Sequence, residues 1–282
     1  MKRLKIPVTA STSNKNDAIN VCVIGLGVVG YPTALHIAKH GFSVHGYDID
    51  SEKVKRIHSF KAFNQWSKTL NSEIYVVCAS TGWKDGKPDM SNLFDICKNI
   101  ARKHEDPMVC IESTVSVGTC RKLAKLFNNV HLVYVPHRYW SGNPDKYGVK
   151  QPRVIGALDE TSLVSAKEFY GSLKIPLFPV SSLEVAEMIK IAENAYRFVQ
   201  IAFSEQLLLL CEKNNMPFKE VKAGANTKWN INLLEALNGI NGHCLPKDIR
   251  YLTHLGRAPL LEGAIEADKQ YINYLQRIKK TT

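Results

Sequence analysis

The chain has 282 residues, 45% of them hydrophobic and 22% charged, which is typical of a folded protein with two domains. Its apolar runs are all much shorter than the roughly 20 residues that a membrane helix needs, and it lacks the apolar core of a secretion signal. We therefore expect a cytoplasmic protein without a membrane partner. The net charge of +11 favours an anionic ligand such as a nucleotide, and no nucleic-acid-binding motif accompanies it.

The seven cysteines include no C-x-x-C pair, which argues against a zinc ribbon and favours a reducing compartment. Most of them lie in apolar strings and are expected to be buried in the core. His36 and His40 are four residues apart on a predicted helix, but no third ligand accompanies them, so no metal site is predicted. Residues 1–19 are polar and basic and are interpreted as a flexible leader.

The first predicted elements are a strand, a glycine-rich turn and a helix. The strand covers 20–25 and leads into GLGVVG, in which Gly25, Gly27 and Gly30 have the G-x-G-x-x-G spacing. The first glycine permits a tight turn, and the second lets the backbone approach a pyrophosphate. The third lets the helix pack closely on the strand, so the pattern predicts a dinucleotide site.

The helix after this turn runs to Gly41 and directs the N–H groups of its first turn, near Val28 and Val29, at the phosphates. A second strand ends in Asp48, about 20 residues beyond the glycines. Its carboxylate is expected to accept hydrogen bonds from the adenosine ribose and to disfavour the additional phosphate of NADP. The predicted cofactor is therefore NAD.

Strands and helices continue to alternate, which predicts a parallel sheet with helices on both faces. The predicted strands cover 73–80, 107–114 and 131–136, the helices 93–104 and 119–127, and a loop rich in Gly, Pro and Asp 81–92. Ligands bind at the carboxyl ends of such strands. The turns at 79–81, 113–114 and 136–138 are therefore expected at one edge, near the cofactor.

The second half of the chain is predicted to be helical. A helix over 162–173 and a short extended connection precede one long helical pattern from Ser182 to Asn214. At the usual rise per residue this helix is about 45–50 Å long, a length typical of a domain spine or a dimer contact. Lys190 and Asn194 are four residues apart and share a face of it, either solvated or directed at a site.

These elements predict an α/β protein with three segments. A leader over 1–19 precedes a Rossmann domain over 20–180, and a helical central domain over 181–282 forms a homodimer contact through its long helix. The last helical pattern, EGAIEADKQYINYLQRIKKTT, runs to the end of the sequence.

A cysteine near the end of the sequence has unusual neighbours. In NGHCLPKD, Cys244 is flanked by a histidine, a proline, a lysine and an aspartate. From the residues alone it is either another structural thiol or a nucleophile, since a thiolate is favoured beside positive charge.

Four stretches together resemble one family. GLGVVGYPTALHIAKHGFSVHGYDID, ESTVSVGT, EMIKIAENAYRFVQIAFSEQL and NGHCLPKD are similar, in order, to motifs of the nucleotide-sugar 6-dehydrogenases. The resemblance spans residues 20 to about 270. It implies a Rossmann domain, a helical domain that commonly dimerises, and the oxidation of a UDP- or GDP-hexose primary alcohol to a uronic acid with NAD. Such acids serve polysaccharide synthesis.

The resemblance also implies roles for individual residues. Cys244 matches the cysteine that captures the aldehyde as a thiohemiacetal, which is then oxidised to a thioester and hydrolysed. Lys190 and Asn194 match the residues that stabilise the oxyanion, and Asp248 matches the aspartate that handles protons and water. Thr114 matches the threonine that orients water.

Thr81 and Thr114 match positions that line the cofactor in this family, but three other positions depart from its pattern. His137 stands where the family usually has a glutamate that acts in acid–base work and hydrolysis, a role that histidine can also fill. Asn241 replaces a glycine, and Asp268 an asparagine. The sequence also ends where the family normally continues into a further Rossmann-like domain, and is interpreted as a short form.

Three interpretations follow. The chain is a compact nucleotide-sugar dehydrogenase completed by a dimer mate or a second polypeptide, a two-domain dehydrogenase of a smaller hydroxy acid similar to the beta-hydroxyacid dehydrogenases, or a non-catalytic NAD-binding relative that needs a partner chain. The second does not explain Cys244, and the third does not explain why Lys190, Asn194, Cys244 and Asp248 occur together. The first is therefore preferred.

Overall fold

A computed structural model describes residues 19–281 of the chain, with side chains as far as residue 279. The predicted leader lies outside the described residues except for its last position. The chain divides into two compact units, the first ending at Ile189 and the second beginning at Lys190. Each unit is described by itself, and the predicted boundary at residue 180 stays a prediction.

The first unit is built on an eight-stranded sheet and a separate hairpin. The strands in chain order are β1 Asn20–Ile24, β2 Ser43–Tyr47, β3 Lys61–Phe63, β4 Ile74–Val77, β5 Gly82–Lys84, β6 Lys87–Asp89, β7 Met108–Ile111, β8 His131–Tyr134, β9 Arg153–Ala157 and β10 Leu177–Pro179. The sheet has the order β10-β9-β8-β7-β4-β1-β2-β3, and β5 pairs with β6. Strands β1, β4, β7 and β8 are almost wholly buried, as their continuous apolar sequences predict.

Helices cover this sheet, which confirms the predicted Rossmann architecture. They are α1 Gly30–Lys39, α2 Ser51–Lys55, α3 Ser91–Lys103, α4 Thr119–Ala124, α5 Pro144–Tyr147 and α6 Glu160–Ser172, with a 3-10 turn at Trp66–Lys68. The core combines strand residues such as Val23 and Val76 with Ile37 of α1 and Phe169 of α6. Strand β1 lies between β2 and β4, which places the glycine turn at the point where the strand order reverses.

Two features of this unit differ from the prediction. Strand β9 runs antiparallel to β8, whereas every other adjacent pair of the eight-stranded sheet is parallel. The predicted loop 81–92 contains the β5–β6 hairpin, in which Lys84 pairs with Lys87. Asp85 and Gly86 both have positive φ, at 50° and 72°, as a two-residue hairpin turn of Asp-Gly type requires.

The second unit is helical, which confirms the predicted fold class. It contains most of α7 Leu183–Lys213, and also α8 Phe218–Ala225, α9 Cys244–Thr253 and α10 Pro259–Thr281. Its core joins Phe198 of α7 to Ile249 of α9 and Ala267 of α10. The prediction of one helix from Ser182 to Asn214 is confirmed to within one residue at each end. No helix in the described part of the chain is long and apolar enough to cross a membrane.

Candidate functional site

The glycine turn after β1 has the geometry that close approach to a ligand requires. Gly25 has φ of +88°, and a Cβ built on it would lie 2.8 Å from the carbonyl oxygen of Cys78. A Cβ on Gly30 would lie 1.8 Å from the carbonyl oxygen of Gly25, so α1 packs against the turn only because this position is glycine. A Cβ on Gly27 would meet no atom within 4 Å, which leaves open space over that residue for a pyrophosphate.

Asp48 follows β2 and is tied to the glycine turn. Its Oδ2 accepts a hydrogen bond from the backbone N–H of Leu26 at 2.8 Å, and its Oδ1 accepts one from the N–H of Asp50 at 2.9 Å. A carboxylate oxygen has lone pairs for a second donor, so Asp48 can also accept from ribose hydroxyls.

Helix α1 starts directly after Val29, which makes no side-chain capping bond, and Val28 before it is exposed. The N–H groups of its first turn are therefore suited to an anion. Together with the open space over Gly27 and the carboxylate of Asp48, this end of the unit fits the pyrophosphate and ribose of NAD.

The turns after β4 and β7 are joined to each other. The hydroxyl of Thr81 donates to the carbonyl oxygen of Thr114 at 2.6 Å, and the hydroxyl of Ser113 donates to the carbonyl oxygen of Ala79 at 2.6 Å. Parallel pairing of β4 with β7 carries both turns to the same edge of the sheet. The structure therefore brings Thr81 and Thr114 together at the edge where the sequence predicted them.

Beside these turns lies a buried carboxylate, Glu112, that the sequence analysis did not single out. Its Oε1 contacts Arg153 Nη1 at 2.9 Å and accepts a hydrogen bond from the hydroxyl of Tyr170 at 2.6 Å. Its Oε2 is paired with Nε2 of His137 and lies 3.7 Å from the thiol of Cys78. Burial would by itself raise the pKa of Glu112, but the charges on Arg153 and His137 lower it to about 2.

His137 is thus directed into the unit, where it is 7% exposed. Besides Glu112, its Nε2 lies 3.2 Å from the hydroxyl of Thr33 on α1. The acid–base role predicted for His137 stays a prediction. A signal for the cluster was present in the sequence: Glu112 and Arg153 are charged residues directly beside the apolar strings MVCI and VIGA.

A second buried carboxylate, Glu187, lies in the first turns of α7. It accepts backbone hydrogen bonds from Gly118 at 2.5 Å and from Cys120 at 2.7 Å. Both donors belong to the start of α4, which makes no side-chain cap of its own. Glu187 therefore fills the place of a helix cap from a distant part of the chain, and no local pattern in the sequence indicates it.

In the second unit, α7 and α9 bring two predicted site residues into contact. The side-chain amide of Asn194 donates to Oδ2 of Asp248 at 2.5 Å, and Nζ of Lys247 contacts Oδ1 of the same carboxylate at 2.6 Å. Asp248 is fully buried, and Lys247 also lies over the ring of Tyr251, 4.2 Å from its centroid. Asp248 is therefore held from both sides.

Cys244 is the first residue of α9, four positions before Asp248. All seven cysteines lie within the described residues, and Cys244 is the exposed one, whereas Cys78 is half-buried and the other five are buried. On α7, Lys190 is buried and stands one turn before Asn194. The structure thus presents an accessible thiol one helical turn from a fixed carboxylate.

Comparison with protein-family models covers most of the chain. Residues 19–64 and 58–174 match the NAD binding domain of the UDP-glucose/GDP-mannose dehydrogenase family. Residues 184–273 match the central domain of the same family. The chain belongs to the UDP-glucose/GDP-mannose dehydrogenase family. The predicted resemblance and the predicted cofactor, NAD, are confirmed.

Curated relatives agree with this assignment. The chain is 29% identical to a UDP-N-acetyl-D-mannosamine dehydrogenase of Pyrococcus horikoshii, over 82% of this chain and 63% of that protein. It is 31% identical to the enzyme of that name from Methanocaldococcus jannaschii, over 92% of this chain and 68% of the relative. The chain therefore spans about two thirds of the length of the relatives that it matches.

Solved structures show the same fold. A UDP-D-ManNAc dehydrogenase from Pyrococcus horikoshii superposes with a TM-score of 0.83 at 28% identity, covering 90% of this chain and 69% of the other. A 3-hydroxyisobutyrate dehydrogenase from Mycobacterium tuberculosis superposes with a TM-score of 0.70 at 14% identity, covering 90% of this chain and 94% of the other. The second likeness is one of fold alone.

Proposed function

We propose that this chain oxidises the primary alcohol of a nucleotide-sugar, a UDP- or GDP-hexose, to the carboxylate with NAD, using Cys244 as the nucleophile. The observation that carries the proposal is the fixed Asn194–Asp248 pair beside Cys244 in the second unit. Family membership supports the reaction class, and the names of the relatives make UDP-N-acetyl-D-mannosamine the first substrate to test.

The bound NAD supplies a hydride acceptor for each of the two oxidations. Its site is proposed to consist of Gly25, Gly27, Gly30, Val28, Val29, Asp48, Thr81 and Thr114. Asp48 orients the ribose by accepting from its hydroxyls, and the start of α1 contacts the pyrophosphate.

The first oxidation removes a hydride and a proton from the primary alcohol and leaves an aldehyde. The Sγ atom of Cys244 adds to the carbonyl carbon of this aldehyde and forms a thiohemiacetal. The second oxidation removes a hydride and a proton from the thiohemiacetal and leaves a thioester. Water then attacks the thioester, which releases the carboxylic acid and restores the thiol. In this proposal Lys190 and Asn194 donate to the oxygen that carries negative charge in these additions. Asp248, held by Asn194 and Lys247, accepts protons, and Thr114 orients the water.

The first experiment measures NADH formed per sugar by the purified chain with NAD and UDP-N-acetylmannosamine, UDP-glucose or GDP-mannose. Two NADH per sugar and a carboxylate product are expected with one of them. In Cys244→Ser, NAD affinity should be unchanged and acid production should fall by at least about 1,000-fold, since the covalent route is closed.

Cys97→Ala is the matched control, because it removes a buried thiol of α3 and should leave acid production as in the wild type. Unchanged steady-state acid formation by Cys244→Ser would contradict the nucleophile assignment. If the chain binds NAD but forms no NADH with any of the sugars, the isolated chain is not active as proposed. That outcome would favour a site that is completed by a partner chain.

A smaller hydroxy acid is the second candidate substrate. It is the two-domain alternative that the sequence left open, and the superposition with a 3-hydroxyisobutyrate dehydrogenase at 14% identity supports only the fold of that alternative. One NADH per molecule of 3-hydroxyisobutyrate, equally fast in the wild type and in Cys244→Ser, would establish this alternative, because the oxidation of a secondary or primary alcohol to a carbonyl needs no thiol.

A further inference from the structure

The cluster around Glu112 contains three side chains of the kinds that bind zinc. The Sγ of Cys78, a carboxylate oxygen of Glu112 and a ring nitrogen of His137 all lie within 4.8 Å of one another. They follow β4, β7 and β8, three adjacent strands whose carboxyl ends meet at one edge. Thiolate, imidazole and carboxylate are together the ligand types of zinc sites.

The two oxygens of Glu112 have different surroundings. Oε1 lies 2.9 Å from Nη1 of Arg153, with which it forms an ion pair, and it accepts a hydrogen bond from the hydroxyl of Tyr170 at 2.6 Å. Oε2 faces His137 and Cys78. A metal-binding carboxylate commonly has one oxygen on the ion and the other held by hydrogen-bond donors. Arg153 therefore does not occupy the position that an ion at Oε2 would take.

Binding of Zn²⁺ at this cluster requires the thiolate of Cys78 and a lone pair on the ring of His137, so it releases protons from the site to solvent.

We propose that Cys78, Glu112 and His137 form a binding site for one Zn²⁺ ion at the carboxyl edge of the sheet, with water in the fourth position. The site would cross-link the ends of β4 and β7 to the segment after β8. It would lie against the glycine turn, because a Cβ on Gly30 would be 3.1 Å from the Cβ of Cys78. This role for His137 is independent of the proposed sugar oxidation.

The test is a zinc titration of the chelator-treated full chain in competition with a chromogenic zinc indicator. One high-affinity equivalent is expected in the wild type. Cys78→Ala and His137→Gln should each weaken it by more than about 100-fold, since loss of an outer-shell partner alone costs 10–100-fold. Both substitutions are small, and circular dichroism checks that the variants are folded. Cys97→Ala, which removes a buried thiol elsewhere in the unit, and His40→Gln are the matched controls and should bind as the wild type.

Co²⁺ provides a readout that is specific for sulfur. The wild type should show the thiolate-to-metal charge-transfer absorption of a tetrahedral site, and Cys78→Ala should lose it. The variant Cys244→Ser tests whether zinc is held instead by the exposed thiol of Cys244 and its neighbour His243, because zinc bound there would be lost in this variant. Absorption and zinc that disappear in Cys244→Ser but persist in Cys78→Ala would overturn the proposal, as would the absence of a bound equivalent in the wild type.

Discussion

Asp48 shows how one carboxylate serves both the fold and the proposed cofactor site. It accepts two backbone hydrogen bonds, from Leu26 and Asp50, and these hold the glycine turn against the end of β2. The same oxygens are the predicted acceptors for the ribose hydroxyls. Any substitution of Asp48 therefore tests both the geometry of the turn and the choice between NAD and NADP.

In Asp48→Ala, NAD should bind about 10–100-fold more weakly, because hydrogen bonds to a charged group contribute roughly 1.5–3 kcal/mol. Discrimination against NADP should also decrease, since no carboxylate opposes its additional phosphate. Calorimetric titration with both cofactors measures the two effects. Asp50→Asn, which changes the exposed cap of α2, is the control. Equal affinities for both cofactors before and after the change would refute this role of Asp48.

A second residue-scale feature is the pair of buried carboxyl groups formed by Glu205 on α7 and Asp268 on α10. Glu205 is fully buried and Asp268 is 8% exposed. Burial, followed by the charge of Asp268, raises the pKa of Glu205 to about 8. Burial also raises the pKa of Asp268, which accepts a hydrogen bond from the N–H of Ile240 at 2.7 Å. Near neutral pH the interior therefore retains a proton that the unfolded chain releases.

The sign of the pH dependence follows from these pKa values. Glu205 has a pKa of about 8 in the folded state and 4.5 as its ordinary value, so between these values the folded state binds the additional proton. The free energy of unfolding should then fall as pH rises through this window, by up to about 1.4 kcal/mol per pH unit. Below pH 4.5 the contribution of Glu205 is constant.

Asp268→Asn should remove the part of this dependence that the charge of Asp268 causes and leave the part that burial causes, because an amide at this position can donate to the Glu205 carboxylate while still accepting from Ile240. The variant should be more stable than the wild type by about 1–2 kcal/mol at pH 8 and equal to it at pH 5. Urea unfolding followed by circular dichroism at both pH values measures this, with the exposed Glu266→Gln on α10 as control. A difference that is the same at both pH values would contradict the explanation.

At the scale of elements, the hydrogen bond between Asn194 and Asp248 joins α7 to α9 across 54 residues of sequence. In Asn194→Ala the buried carboxylate of Asp248 keeps Lys247 and loses one donor. The free energy of unfolding should fall by about 1–3 kcal/mol, the usual penalty for a buried group left short of a partner.

NAD affinity should not change in Asn194→Ala, because the residues proposed to bind NAD belong to the first unit. Urea unfolding and a cofactor titration measure the two quantities. Asn214→Ala, at the exposed end of α7, removes only a local bond to Leu210 and should cost less than about 0.5 kcal/mol. A stability loss of the same size in both variants would mean that the link to Asp248 contributes nothing specific.

The elements also show where pattern reasoning succeeds. The helix over Leu183–Lys213 was predicted almost to the residue, because 31 residues of helical periodicity leave little ambiguity. The β5–β6 hairpin was missed, since three-residue strands have too little periodicity to recognise, and its Asp-Gly turn was interpreted only as part of a loop. The antiparallel direction of β9 depends on its pairing with β8, which no local pattern encodes.

At the scale of the whole molecule, α7 carries an exposed apolar stripe. Tyr196, Phe203 and Leu210 are seven residues apart and 67%, 55% and 51% exposed, so they lie on one face of the helix. Apolar side chains in a contiguous row are typical of a surface that contacts another chain. This supports the prediction of a homodimer through the helical domain.

If the predicted homodimer forms through this stripe, Phe203→Glu should convert it to a monomer, because the substitution places a charge at the centre of the stripe. Sedimentation velocity at micromolar concentration measures the mass of both proteins. Leu260→Glu makes the same change at an exposed position of α10 and should leave the dimer intact. A wild-type chain that sediments as a monomer, or a Phe203→Glu variant that remains dimeric, would show that this stripe is not the dimer contact.

The glycine turn, the long helix α7, the cofactor and the family could be predicted from the sequence alone. These features depend on local patterns: glycine is favoured where φ is positive and required where backbones touch, and helices and strands have their own apolar periods. Other contacts depend on the packing of the folded chain: His137 is directed towards Glu112, Arg153 and Tyr170 surround the same carboxylate, and Glu205 meets Asp268. Each of these contacts joins residues that are distant in the chain, and their burial, which sets the charges, exists only once the sheet and the helices have packed.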